Sequence, residues 1–229
     1  MNKKNQMTHY HKKLKKIKNL GCVDCIKIKY CEKDVILKLV DESEETVNLL
    51  TKWREKYRNM FATDFTITEE KTKRWIKKDV LGNPEKIMFV IYVDSEKIGI
   101  ISTSQYDENT NTAILDTMMK EPTFNLPGLM TVVEKVYLRW MFDKLNLSKI
   151  TGFLFSDNKK MMNIHKKCGW VMIDVVPIQK ISTKEYTRWE KITSKSDDMN
   201  VERYFNLIEL TRENLMRDFD NIEYQFLGD

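Results

Sequence analysis

The chain reads as a mixed α/β domain, and three stretches predict it. Residues 149–170 (KITGFLFSDNKKMMNIHKKCGW) pass from an apolar run, through the polar turn Ser156-Asp157-Asn158, into an amphipathic segment that stops at Gly169. Apolar residues Ile150, Phe153, Leu154 and Phe155 suit a buried strand, and Met161, Ile164 and Cys168 fall at helical spacing. Residues 86–93 and 98–103 are two strand-like apolar runs around Asp94-Ser95-Glu96-Lys97. Residues 131–144 keep Val132, Val136 and Trp140 in helical register.

Length and composition bound the rest. At 229 residues, 41% hydrophobic and 32% charged, the chain buries a proper core as one domain with extensions. No run approaches the ~20 apolar residues of a membrane helix, and no apolar core follows the basic N-terminus as in a signal peptide, so a cytoplasmic protein is expected. The net charge is +5, but residues 1–20 hold seven lysines and no acid; subtracting them leaves −2 for the remainder. Basicity therefore belongs to the tail, and without interleaved arginines and aromatics nucleic acid is not an expected partner. Cys22, Cys25 and Cys31, with His9 or His11, lack the second ligand pair of a zinc site, so no metal is expected.

In order, residues 1–33 read as a basic extension, with Leu14, Ile17 and Leu20 at helical spacing and a strand at 25–30. The body, 34–229, opens with a strand at 35–40. Asp41 or Ser43 then caps a helix bearing Val47, Leu50 and Trp53. Thr68 starts a second helix, with Glu69 and Glu70 in its first turn. The hairpin 86–103 follows, then a strand at 112–119 with Asp116 among apolar neighbours, a loop with two prolines, and the helix 131–144. After the 149–170 unit come a strand at 171–181, a polar insertion near 182–200 and a last strand at 204–210.

The unit 149–170 resembles the late motif of the GNAT superfamily of acyl-CoA-dependent N-acyltransferases, in which a strand ending in Asn is followed by A-x-x-L-Y-x-K-x-G-F. Asn158, Ile164, Lys167, Gly169 and Trp170 keep the frame; Met161 stands for the Ala and His165 for the Tyr. Upstream, Asn125-Leu126-Pro127-Gly128-Leu129-Met130 occupies the place of that family's pyrophosphate loop, with Gly128 as its matching glycine. The resemblance implies a mixed, mostly antiparallel twisted sheet, helices on both faces and a splayed central strand pair. It implies acetyl-CoA or another acyl-CoA as co-substrate, held by the main chain of Thr117, Met118 and Met119, by Asn125, Gly128, Leu129 and Met130, and by Asn158. It puts His165 at the position of the proton donor to the departing thiolate. Asp116 lies two residues past the place where many members carry a Glu, and serves as a base or pairs with a cation.

The segment 53–76 is dense in aromatic and arginine residues and falls where this superfamily builds its acceptor side. Arg54, Tyr57, Arg58, Phe61 and Trp75 resemble, loosely, those of bacterial members that acylate nucleotide-linked amino sugars for surface polysaccharides. An amino-sugar nucleotide is therefore the expected acceptor, acylated by a monomer or homodimer. A protein N-terminus, ribosomal protein, polyamine or aminoglycoside is the alternative acceptor. A non-catalytic module binding CoA or nucleic acid is the reading from another class.

Overall fold

The computed structural model describes residues 7–20, 26–192, 201–217, 219 and 221–227. Among the described residues eleven strands form one sheet. They are β1 (Ile26–Tyr30), β2 (Lys33–Leu39), β3 (Thr63–Phe65), β4 (Ile87–Val93), β5 (Glu96–Asp107), β6 (Thr112–Lys120), β7 (Lys149–Phe155), β8 (Val171–Ser182), β9 (Tyr186–Lys191), β10 (Arg203–Thr211) and β11 (Glu223–Phe226). Their spatial order is β11-β1-β2-β4-β5-β6-β7-β10-β8-β9-β3. Every neighbouring pair is antiparallel except β6 and β7. That parallel pair is joined only at Thr112↔Lys149, Ala113↔Ile150 and Ile114↔Thr151, after which the strands part.

The helices are α1 (His9–Leu20), α2 (Glu44–Lys56), α3 (Glu69–Trp75), α4 (Leu129–Lys144), α5 (Lys159–Lys167) and α6 (Arg212–Met216). They cover both faces, and β4 shows why its sequence is a continuous apolar run. Ile87, Phe89, Ile91 and Val93 join a core with Tyr10 and Leu14 of α1 and Val133, Tyr137 and Trp140 of α4. Met88 and Val90 join a second core with Val47, Leu50 and Trp53 of α2. A strand buried on both sides loses the alternation that marks a half-exposed one.

The caps are local and specific. Ser43 accepts the Thr46 amide at 3.3 Å, Thr68 that of Lys71 at 3.2 Å, and Asn158 that of Met161 at 3.2 Å. Asp41 instead accepts the Ser43 amide, and Asp157 is engaged by both arms of Arg203 at 2.7 and 2.9 Å, so neither caps its helix.

Several elements depart from expectation. The helix after the proline loop begins at Leu129 rather than 131, because Gly128 at φ +80° turns the chain straight into it. After Trp75 the helical path continues as a π-helix, Ile76–Leu81. Residues 1–33 supply α1, whose Tyr10, Leu14 and Ile17 are core, and β1, which pairs with β2 and β11. The polar insertion contains β9, which pairs with β8 and β3; residues 193–200 lie outside those described. Chain order ends on β11, at the opposite sheet edge, not on the strand expected at 204–210. Among the described residues no helix is long and apolar enough to cross a membrane.

Candidate active site

The site begins where β6 leaves β7. Beyond Ile114 the β7-facing edge of β6 has no strand partner among the described residues, and at the same point β6 bulges. Ile101 faces Met118 and Thr103 faces Leu115, so β6 carries one extra residue opposite Ser102. The Ser102 hydroxyl fills the irregularity by accepting the Thr117 amide at 3.1 Å. The bulge also breaks the alternation. Ala113 and Leu115 point into the α4-side core, Met118 packs against that core too, and Met119 lies in the α2-side core. Asp116 is left in the opening, with 28% of its side chain exposed and Lys86 Nζ 2.5 Å away. It thus takes the cation-paired alternative.

This opening is part of a cavity of ≈ 510 Å³ lined by residues from both faces, the size of a small-molecule site. One wall comes from 53–75. The Arg54 guanidinium lies 3.6 Å from the Phe61 ring centre and donates to Thr63 O at 2.9 Å. Burial draws Arg54 down to about 10, opposed by Asp116 and Asp64, so it is cationic at neutral pH. Tyr57 donates to Lys120 O at 2.9 Å, and Lys86 Nζ sits 5.2 Å from the Trp75 ring centre. The wall is tied to the far end of the sheet: β3 pairs with β9, and Arg203 donates to Asn59 O at 3.2 Å.

The other wall comes from β7 and α5. His165 lines the cavity but is only 6% exposed. Its Nδ1 is 2.7 Å from Glu134 Oε1, which also accepts the Trp170 indole N–H at 2.8 Å. Glu134 projects from α4 and is 0% exposed. Cys168, beside this group, is inert, because burial and then Glu134 push its thiol far up.

At the loop leading into α4, Gly128 is the N-cap with no side-chain cap bond, and the Thr131 amide bonds to Gly128 O at 3.0 Å. A Cβ on Gly128 would collide with the Tyr30 hydroxyl, which donates to Pro127 O at 2.7 Å. The Leu129 amide turns back to Leu126 O at 3.3 Å, and its side chain is core.

Of the residues expected in the site, Arg54, Tyr57, Phe61, Trp75, Asp116, Thr117, Met118, Met119, Met130, Asn158 and His165 line the one cavity. Arg58 does not; its guanidinium is spent on Asp64, Glu55 and Phe65 O. Asn125, Gly128 and Leu129 also lie outside the lining, and Asn125 is exposed. Sequence reasoning passes over Lys86, Lys120, Lys160 and Phe205, which line the cavity, and Glu134 behind it. Glu134 does carry a signal: a carboxylate in the helical register of Met130, Tyr137 and Leu138. Cys22 and Cys25 lie outside the described residues; among the rest no three acidic, His or Cys side chains are grouped to hold a metal ion.

A mixed sheet whose parallel strands part over a cavity, beside a helix that opens on Gly128, agrees with the architecture of an acyl-CoA-dependent N-acyltransferase. The sequence profile of the acetyltransferase (GNAT) domain matches residues 35–171, and the chain belongs to this family. Its co-substrate is an acyl-CoA. No curated protein matches by sequence. Among solved structures, the spermidine N-acetyltransferase of Vibrio cholerae in complex with CoA and spermine superposes with a TM-score of 0.62 at 12% identity, over 79% of this chain and 97% of that one. A dodecameric form of the Vibrio enzyme superposes at 0.59 and 12% identity, over 80% and 96%. At such identity the likeness is one of fold. These relatives give no support to a nucleotide-linked amino sugar as the acceptor.

Proposed function

We propose that the chain transfers an acetyl group from acetyl-CoA to a primary amine on a small molecule that also carries a negative charge. The observation that supports this is the charge of the cavity. Arg54, Lys86, Lys120 and Lys160 line it, against one carboxylate, Asp116, which Lys86 already holds. A nucleotide-linked amino sugar belongs to that acceptor class, with Arg54 as the anchor for its phosphate and Phe61 and Trp75 as stacking faces. A second reading, a polyamine acceptor, is favoured by the solved relatives, one of which holds spermine. It requires a polycation to enter beside four cationic side chains.

In this reading the unpaired edge of β6 at 117–119 binds the amides of the pantetheine arm, and the N-terminus of α4 faces the pyrophosphate. The neutral amine attacks the thioester carbon, the C–N bond forms and the C–S bond breaks. His165 carries the proton between the reacting groups, and Asp116 acts as counter-ion to Lys86. The match starting at residue 35 supports treating 1–33 as an extension of the acyltransferase domain; the segment 182–200, which we take as an insertion, lies beyond the matched residues.

The test is thiol release with acetyl-CoA across amino-sugar nucleotides, amino-sugar phosphates, amino acids and polyamines. Turnover confined to acceptors with an anionic group is expected. Turnover confined to polyamines would overturn the acceptor class, and absence of thermal stabilisation by excess acetyl-CoA would overturn the enzyme reading itself.

A further inference from the structure

Glu134 is an expensive residue to keep where it is. It is 0% exposed on a face of α4 otherwise built from Met130, Val133, Tyr137 and Leu138. One oxygen, Oε1, accepts from both His165 Nδ1 at 2.7 Å and Trp170 Nε1 at 2.8 Å, while the other, Oε2, has no hydrogen-bond partner among the described residues. Replacing a buried charge of this kind by a well-packed apolar side chain is often neutral or stabilising, so packing gives no reason for a carboxylate here. Fold stability is therefore a poor explanation for it.

The geometry gives a better one. The Trp170 indole nitrogen is donor only, so Oε1 accepts from it, and toward a carboxylate oxygen in that role His165 presents Nδ1–H. That leaves Nε2, which has no hydrogen-bond partner among the described residues, as the ring nitrogen available to the cavity that His165 lines. The Trp170 ring packs against the imidazole, with centroids 5.5 Å apart and planes inclined at 57°. Asn158 fixes the start of α5, the helix that carries the histidine, by accepting the Met161 amide.

We infer that Glu134 is the positioning residue of the proton-transfer group: it fixes the proton of neutral His165 on Nδ1 and holds Nε2 toward the reacting atoms. This rests on the role given to His165 above. Glu134 itself touches neither substrate nor thioester; it acts through the imidazole, as the partner of a metal-bound histidine acts on its ligand. Trp170 completes the arrangement by occupying the second lone pair of Oε1, which keeps the carboxylate from rotating away.

The test uses Glu134→Leu, Glu134→Gln and His165→Ala in the full chain. The proton position on the His165 ring is read by nitrogen NMR in its neutral form. His9 and His11 are the other histidines, and His165→Ala assigns the signals. In the wild type the proton is expected on Nδ1. In Glu134→Leu it is expected to spread over both nitrogens, with kcat lower by roughly 10- to 100-fold and KM for acetyl-CoA within about twofold. Glu134→Gln, which keeps an acceptor oxygen without the charge, is expected between the two. Wild-type kcat in Glu134→Leu, or a proton that stays on Nδ1 in it, overturns the inference. If that variant does not fold, wild-type kcat in Glu134→Gln does so. The NMR readout needs no acceptor. Wild-type turnover in His165→Ala would instead remove the proton-transfer role of the histidine, whatever Glu134 does to its ring.

Discussion

Lys86 Nζ lies 2.5 Å from Asp116 Oδ2, with 13% and 28% of the two side chains exposed, and the ammonium faces the Trp75 ring. A cation between an aromatic face and a carboxylate is the arrangement an amine-binding protein uses for a cationic ligand. Here a residue of the chain occupies it. Lys86 thus fills the one part of the cavity that would attract a polyamine, and its removal leaves a vacant ammonium site. Lys86→Met is expected to lower KM for spermidine by about tenfold and raise it for an anionic acceptor, since one charge-assisted contact is worth ~1.5–3 kcal/mol. Steady-state thiol release with both acceptor types checks this; unchanged ratios would show that Lys86 takes no part in selection.

Arg54 has five N–H donors and, among the described residues, makes one hydrogen bond, to Thr63 O. In the proposed function the remainder serve an acceptor's anionic group. Arg54→Ala is expected to raise KM for that acceptor by roughly 10- to 100-fold, while KM for acetyl-CoA stays within about twofold. Arg54→Lys, which keeps the charge but loses the fork and its stacking on Phe61, is expected to recover only part of the loss.

Gly128→Ala is expected to destabilise the fold and weaken CoA binding together. Alanine in the left-handed region costs ~1–2 kcal/mol, a fall in Tm of roughly 2–8 °C for a chain of this size, before the collision with Tyr30 is added. Tyr30→Phe in the same background removes the colliding hydroxyl, so part of the loss should return. A double-mutant cycle of Tm values measures that coupling, and strict additivity would rule the collision out.

Glu121 gives a prediction in pH. The Trp53 indole donates to its Oε2 at 2.6 Å and holds the carboxyl below its ordinary 4.5. Because the folded-state value is depressed, the stabilisation is present above 4.5 and is lost as pH falls through the folded value. Wild-type Tm should therefore drop more than that of Glu121→Gln when pH is taken from well above 4.5 to well below it. Parallel curves for the two proteins would refute the link.

How much of this is legible in the sequence depends on whether a feature is written in one residue or in a relation between strands. Gly128, Ser43, Thr68 and Asn158 are legible because a cap or a left-handed turn admits few residue types. The apolar runs that become β4, β5 and β7 are legible for the same reason: burial leaves a local pattern. The β6 bulge is not, since TAILDTMMK carries no mark of an extra residue; only its pairing with β5 reveals it. With the bulge unseen, Asp116 is assigned its side of the strand by simple alternation, and Lys86, thirty residues away, cannot be named as its partner. Strand β9 is hidden by its own chemistry, because YTRWEK is polar enough to read as a loop. His165 is legible as a candidate by its place in a motif, but its burial against Glu134 depends on how α4 packs on α5.

The brevity of the β6–β7 seam has a further consequence. Three rungs fasten it, ending at Ile114 and Thr151, and everything beyond is open. The sheet behaves there like a zip stopped part-way, and each extra rung would close about 3.3 Å of it. In the proposed function the last fastened rung then sets how far the cofactor arm can enter, by backbone pairing and independently of the side chains that choose the amine.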